Sequence, residues 1–112
     1  MSELTDEDAK LVALAKQARA RIQAKEGAAV RDETGRSYSG ATVDLPSANL
    51  TALQLAVAQA VAAGARDIEA AVIVTTDASP SVQPVKDAAI TPTSLHICSV
   101  TGDVVTSTIV EP

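Results

Sequence analysis

Two stretches of the chain have the hydrophobic spacing of helices. In the first, Thr5 is a residue type that caps helix N-termini, and apolar residues recur every three or four positions behind it. This apolar stripe consists of Leu11, Leu14, Ala15, Ala18 and Ile22. Glu26 and Gly27 are predicted to end the helix. The second stretch, residues 50–64, is apolar on nearly every side, which predicts a helix buried between the sheet and another body, here a second subunit.

Shorter apolar runs predict strands over residues 28–31, 36–43, 68–76, 95–100 and 104–109. The run 68–76 is almost continuously apolar, which indicates a strand buried on both faces. The last two strands are separated only by Thr101-Gly102-Asp103. Because that connection is too short for a helical crossover, these strands are predicted to be antiparallel neighbours. Residues 45–48 are predicted to form a loop, and residues 85–90 a short helix.

Composition limits the size of the core and the kind of partner. Hydrophobic residues make up 46% of the 112 residues, but Tyr38 is the only aromatic one, so the core must consist of small aliphatic side chains. We expect one domain over residues 1–112, and a small core of this kind favours subunit association. The net charge of −5 argues against nucleic acid as a partner, since phosphate contacts need clustered Lys and Arg. Without an uninterrupted apolar run of about 18 residues, neither a membrane span nor export is indicated, and we expect a cytoplasmic protein.

A lone cysteine, Cys98, excludes an internal disulfide and any metal site made of several cysteines. His96 lies two residues earlier, so in a strand both side chains face the same side of the sheet. No further His, Cys, Asp or Glu stands nearby at a ligand-like spacing. We therefore predict that this pair packs structurally.

Several short motifs resemble, in order and spacing, those of the small cytidine deaminase family. They are Gly27-Ala28-Ala29-Val30, residues 36–44 (RSYSGATVD), Ala60-Val61-Ala62-Ala63-Gly64, Ser79-Pro80 and residues 100–105 (VTGDVV). The resemblance implies an α/β fold of three layers, α/β/α. It also implies a mixed five-stranded sheet whose last two strands are antiparallel.

In that family, one His or Cys and two further Cys hold a zinc ion, and a Glu carries protons. The resemblance places Thr51 at the first ligand, Ser81 and Pro84 at the two cysteines, and Leu53 at the catalytic Glu. Hydroxyls and a proline ring are poor zinc ligands, and leucine cannot transfer a proton. The resemblance thus implies a lost zinc site, no cofactor and no catalytic residue. Thr51 and Ser81 are expected to cap helices instead, with Gln54 completing a capping box.

The positions that would hold a nucleoside are also altered. The ribose-binding Asn and Glu of the family correspond to Thr42 and Asp44, and the family's aromatic loop has no counterpart here. Polar groups are still expected to gather beside two helix N-termini, where a sugar or small anion binds favourably. The expected vestigial pocket consists of Thr42, Asp44, Asn49, Thr51, Leu53, Ser81 and Pro84.

These observations predict a cytidine deaminase-like protein that is non-catalytic, a pseudoenzyme that acts through oligomerisation or partner binding. Two alternatives stay open. One is a module that still binds a nucleoside or nucleotide, and the other is a divergent cytidine deaminase, a hydrolase with an unrecognised site. Because short members of the family are commonly homotetramers, the resemblance implies a homo-oligomer, either a tetramer or a dimer.

Overall fold

A mixed five-stranded sheet with helices on both faces organises the chain, in a computed structural model that describes residues 4–112. The helices are α1 (Asp6–Arg21), α2 (Ala52–Ala62) and α3 (Gln83–Ala88). The strands are β1 (Gly27–Asp32), β2 (Ser37–Ala41), β3 (Val43–Leu45), β4 (Ala48–Leu50), β5 (Ile68–Val74), β6 (Thr93–Cys98) and β7 (Val104–Val110). None of the helices within this range is long and apolar enough to cross a membrane.

The sheet has the strand order β2-β1-β5-β6-β7. Strand β1 is antiparallel to both β2 and β5, β5 is parallel to β6, and β6 is antiparallel to β7. The predicted mixed sheet with an antiparallel last pair is therefore confirmed. The stretch Ala70–Val74 of β5 is buried throughout, as its continuous apolar run predicts.

Each face of the sheet has its own hydrophobic core. On one face, α1 packs Leu11 and Ala15 among strand residues that include Val72. On the other face, α2 and α3 pack Leu53 and Val85 among another set of strand residues. Both cores are mainly aliphatic, as the composition requires, and they lie between the sheet and the helices that form the outer two layers of the α/β/α arrangement.

Helix α1 ends earlier than predicted, at Arg21, and the prediction that Ile22 belongs to its apolar stripe is wrong because that side chain is 61% exposed. The chain then turns back through Gln23, whose φ of +50° is in the left-handed region. The reason is tertiary. A Cβ at Gly27 would lie 2.1 Å from the carbonyl oxygen of Ala15, so β1 begins directly beneath the helix and the chain must leave the helix first.

The segment between β2 and α2 also departs from prediction. Residues 45–48 are not simply a loop, because Leu45 and Ala48 belong to the hairpin formed by β3 and β4, with Pro46-Ser47 as its turn. The predicted strand over 36–43 is interrupted at Thr42, whose amide donates to the carbonyl of Glu26. Strand β3 leaves the main sheet at that residue and pairs only with β4.

Helix α2 is buried on one side within the chain. Ala52, Leu53 and Ala56 are buried, whereas Val61 on the outer side is 54% exposed. Gly64, with φ +95°, follows the helix end as predicted. The second body that would cover the outer side of α2 stays a prediction.

Candidate functional site

The N-terminus of α2 and the loop before α3 open onto a cavity of about 340 Å³. Its wall is formed by Lys25, Glu26, Thr42, Asn49, Leu50, Thr51, Leu53, Ile73, Asp77, Pro80 and Ser81. Five of the residues predicted for the vestigial pocket are among them: Thr42, Asn49, Thr51, Leu53 and Ser81. The fold thus brings together residues that lie up to 39 positions apart in the sequence, from Thr42 to Ser81.

Two residues of the predicted pocket lie elsewhere. Asp44 is exposed on the β3–β4 hairpin and does not line the cavity. Pro84 lines a separate groove between α2 and α3, together with Val57 and Val61. The hairpin causes the first displacement, because Asp44 pairs with Asn49 across it and only Asn49 reaches the cavity wall.

The N-terminus of α2 is closed by its own side chains. Thr51 Oγ1 accepts from the backbone N–H of Gln54 at 3.0 Å, and Gln54 Oε1 accepts from the backbone N–H of Thr51 at 2.8 Å. This is the predicted capping box. The Thr51 hydroxyl is therefore already used as a hydrogen-bond acceptor by the helix.

Ser81 stands one residue before the cap of α3. The N-cap is Val82, which makes no side-chain capping bond, so the prediction that Ser81 caps this helix is wrong by one position. The Ser81 hydroxyl still accepts from the backbone N–H of Gln83 at 3.3 Å. Pro84 lies in the first turn, as predicted. The helix begins at Gln83 because a proline is well tolerated in a first turn, where its missing N–H is not required.

Ionisable groups missing from the predicted site line the same cavity. Glu26 Oε2 accepts from the Thr75 hydroxyl at 2.7 Å, and Thr75 Oγ1 in turn accepts from the Asp77 amide at 3.0 Å. Lys25 lies beside Glu26 on the wall. The two charged residues reach the cavity because α1 ends at Arg21 and residues 22–26 form the connection to β1, which the spacing of apolar residues does not reveal.

The cavity wall therefore offers hydroxyl, amide, carboxylate and ammonium groups around one buried leucine. Such a set can hydrogen-bond a small polar molecule. The wall contains two carboxylates: Glu26 accepts from the Thr75 hydroxyl, and Asp77 accepts from the backbone N–H of Ser79.

Comparison with known proteins identifies the family of this fold. A protein-family profile described as cytidine deaminase-like matches residues 4–102. The chain belongs to the cytidine deaminase-like family. No curated protein matches the sequence.

Three solved structures share the fold. A cytidine deaminase from Burkholderia pseudomallei is 20% identical with a TM-score of 0.72, and the match covers 96% of this chain and 93% of that chain. A mutant cytidine deaminase from Mycobacterium tuberculosis is 20% identical with a TM-score of 0.65, covering 82% and 85%. The cytidine deaminase from Mycobacterium leprae is 16% identical with a TM-score of 0.65, covering 84% and 89%. At these identities the likeness shows a common fold.

The residues at the predicted metal positions of this cytidine deaminase-like chain do not fit a zinc ion. Zinc is bound by thiolate, imidazole or carboxylate groups. Thr51 and Ser81 offer hydroxyls that already accept from backbone amides, and Pro84 lines a different groove. Across residues 4–112, no group of three or more His, Cys, Asp or Glu side chains is arranged to hold a metal ion.

A second polar cluster lies on the opposite face of the sheet. His96 Nε2 lies 2.9 Å from Asp8 Oδ2, and His96 Nδ1 lies 2.8 Å from Ser107 Oγ. Arg31 Nη2 donates to Asp8 Oδ1 at 3.0 Å and to Glu69 Oε1 at 3.0 Å. We call Asp8, Arg31, Glu69, His96 and Ser107 the α1-face network.

The α1-face network corrects the sequence-based description of His96. An acidic partner does stand next to this histidine, but Asp8 comes from α1, 88 residues away in the chain. Burial would raise the pKa of Asp8, yet hydrogen bonds from His96 and Arg31 outweigh it and hold this pKa below its ordinary value. Cys98 is buried beside the network, and burial raises the pKa of its thiol to about 11, which leaves it unreactive.

Proposed function

We propose that this member of the cytidine deaminase-like family is non-catalytic and acts by associating with a partner protein or with copies of itself. The observation that carries the proposal is Leu53. It occupies the first turn of α2 at the cavity wall, is only 2% exposed, and lies where the resemblance expects a proton-carrying Glu. An alkyl side chain cannot accept a proton from water or return one to a leaving group.

The outer surface of α2 supports the association part of the proposal. Val61 is exposed in a groove of about 280 Å³ between α2 and α3, which is lined by the apolar residues Val57, Ala58, Val61, Pro84 and Ala88 and by the polar residues Gln54 and Asp87. This surface is largely apolar, and no segment of the chain covers it in residues 4–112. Exposed apolar surfaces of this kind are typical of protein interfaces.

The catalytic part is tested by measuring ammonia release from cytidine, deoxycytidine and adenosine, with elemental analysis of protein purified in the presence of zinc. We expect no release at high protein concentration and no stoichiometric zinc. Turnover that disappears in Glu26→Gln but persists in the matched variant Glu33→Gln would overturn the proposal. That result would establish the alternative of a divergent deaminase with an unrecognised site.

The association part is tested by sedimentation of the full chain. We expect Val61→Glu to reduce the assembly that the native chain forms, because it places a charge on the apolar groove. Ile22→Glu, at a similarly exposed apolar residue on the end of α1, is the matched control and should leave assembly unchanged. A native chain that sediments as a monomer and captures no partner contradicts this part.

A second candidate function is nucleoside or nucleotide binding, and the polar cavity favours it. Thr42, Asn49 and Glu26 offer both donors and acceptors to a sugar, and Lys25 offers a cation to a phosphate. Calorimetric titration with nucleosides and their monophosphates tests this candidate. Heat that is lost in Asn49→Ala and kept in Asp44→Ala, which lies outside the cavity wall, would support it.

A further inference from the structure

The α1-face network reaches the surface at a serine. The side chains of Asp8 and His96 are each 9% exposed, whereas Ser107, on β7, is an exposed residue. His96 Nδ1 lies 2.8 Å from Ser107 Oγ, and His96 Nε2 lies 2.9 Å from Asp8 Oδ2. A buried imidazole therefore stands between an exposed serine and a buried carboxylate.

The direction of these two hydrogen bonds follows from the chemistry of Asp8. Its carboxylate forms an ion pair with Arg31, with Nη2 and Oδ1 3.0 Å apart. An ionised carboxylate can only accept hydrogen bonds, so the Nε2 atom of His96 carries the proton. A neutral imidazole has a single N–H, which leaves the lone pair of Nδ1 to accept from the Ser107 hydroxyl. His96 is thus oriented as a base for this serine.

A nucleophile, a base within hydrogen-bond reach and a group that orients the base together activate a serine. We propose that Ser107 is a covalent modification site, which takes an acyl group from a small neutral thioester or another neutral ester with a good leaving group. The site lies under α1, on the opposite face of the sheet from the cavity. The inference is therefore independent of the proposed function.

The charges of the α1-face network favour a neutral donor. Asp8 and Glu69 are negative and only Arg31, which pairs with both, is positive among the charged members of this network. The network therefore carries a net negative charge beside Ser107. Such a charge repels anionic phosphoryl donors and leaves the approach of a neutral acyl ester unhindered.

The transfer is an exchange of one acyl bond for another. As Ser107 Oγ attacks the carbonyl carbon of a thioester, an O–C bond forms and the hydroxyl proton passes to His96 Nδ1. The carbon–sulfur bond then breaks, and the leaving thiolate takes the proton from Nδ1. Asp8 stabilises the imidazolium that exists between these two steps. Hydrolysis of the product would have to expel the serine alkoxide, a poorer leaving group than a thiolate, so the acyl-serine accumulates.

The first test is acetylation of the full chain with p-nitrophenyl acetate and, separately, with a neutral acetyl thioester. Intact mass and peptide mapping should show one acetyl ester per chain, at Ser107. Alkaline hydroxylamine should remove this ester, whereas acetyl groups on lysines are amides and should stay. Ser107→Ala should lose the ester. Ser37→Ala, at an exposed serine on the opposite edge strand β2, is the matched control and should keep it.

The role of His96 is tested by His96→Gln. A glutamine amide can still donate to Asp8, but it cannot take a proton from Ser107. Acetylation of Ser107 should slow by roughly 100-fold or more, the usual contribution of a general base. Circular dichroism checks that the variant is folded. The native chain gives the same information without a variant, because Ser107 should be acetylated roughly 100-fold faster than Ser37 in the same sample.

Three results would overturn the inference. The first is acetylation of native Ser107 no faster than that of Ser37, and the second is a mass gain confined to lysines. The third is an unchanged rate at Ser107 in folded His96→Gln. Release of many equivalents of p-nitrophenolate that Ser107→Ala abolishes would also contradict it, because the acyl-serine would then be an intermediate of turnover and not a stable modification.

Discussion

The two faces of the sheet are held together by different chemistry. Beneath α1, the α1-face network buries a charged pair, Asp8 with Arg31, and a histidine bonded to that pair. Beneath α2 and α3, the corresponding core is mainly alkyl, and its polar groups lie at its borders, where Asp32 accepts from the Tyr38 hydroxyl and others line the cavity. The serine, histidine and aspartate that sit in one hydrogen-bonded row therefore lie away from the polar cavity, and the cavity contains a leucine. The buried polar residues of the α1-face network therefore stabilise the packing of α1 on the sheet. What the cavity can bind has to be inferred from the residues that line it.

The largest effect should come from breaking the α1-face network. Asp8→Ala leaves Arg31 and His96 buried without their shared carboxylate, which should lower the free energy of unfolding by about 3–5 kcal/mol. Urea unfolding measures this change. Glu7→Ala removes a neighbouring exposed carboxylate that pairs with Lys10 on the surface, so it should change stability by less than about 0.5 kcal/mol. Similar values for both variants would contradict a supporting role for the network.

On the other face, truncating the leucine of the cavity wall should have a somewhat smaller effect. Leu53→Ala removes buried methyl groups and should destabilise the fold by about 2–5 kcal/mol. Leu45→Ala, at an exposed leucine on the β3–β4 hairpin, is the matched comparison and should change stability little. Comparing the denaturant midpoints of the two variants shows whether the Leu53 side chain stabilises the core. A small loss at Leu53 would leave it free for a role in the cavity.

Acid should weaken the fold through three carboxylates: Asp8 of α1, Asp32 at the end of β1 and Asp67 in the loop before β5. Burial would raise the pKa of Asp32 and of Asp67, but hydrogen bonds outweigh it and hold both pKa values below the ordinary value, as they do for Asp8. Because a lowered pKa means that the unfolded chain binds more protons, their stabilisation is fully present above about pH 4 and is lost as pH falls through the folded values. Unfolding free energies between pH 2 and pH 6 measure this loss. Asp67→Asn should reduce its steepness, and Asp44→Asn should not.

The smallest effect should come from the cap of α2. Thr51→Ala removes the acceptor for the Gln54 amide and should destabilise the protein by about 0.5–2 kcal/mol. Thr51→Ser keeps the hydroxyl and should stay close to the native stability. Thermal unfolding distinguishes the two. If Thr51→Ala instead raises stability, the cap would be a strained remnant of a site and not a support of the helix.

Local signals predicted much of the fold correctly. The short connection between the last two strands, predicted as three residues and five in the structure (99–103), required an antiparallel pair, and the apolar run in β5 required burial on both faces. The Thr51–Gln54 spacing predicted the capping box. Each of these depends on contacts within one turn of helix, one hairpin or one strand, where spacing along the chain determines the geometry.

The candidate site was harder to predict. The family resemblance pointed to Leu53, Thr51 and Ser81, which line one cavity, but it also pointed to Asp44 and Pro84, which do not. Glu26 and Lys25 reach the cavity only because the chain turns back after Arg21. Periodicity reports whether a residue is buried in its own element, and it carries no information about which loop lies beside that element.

By itself, the sequence determined the helices and strands whose apolar residues recur regularly, the mainly aliphatic core, the antiparallel last pair of strands and the family. Only the tertiary structure decided that Asp8 meets His96, that α1 stops before Gly27, and that β7 lies last in the sheet. The physical reason is that each of these depends on how layers stack. Contacts between layers join residues far apart in the chain, and no local spacing encodes them.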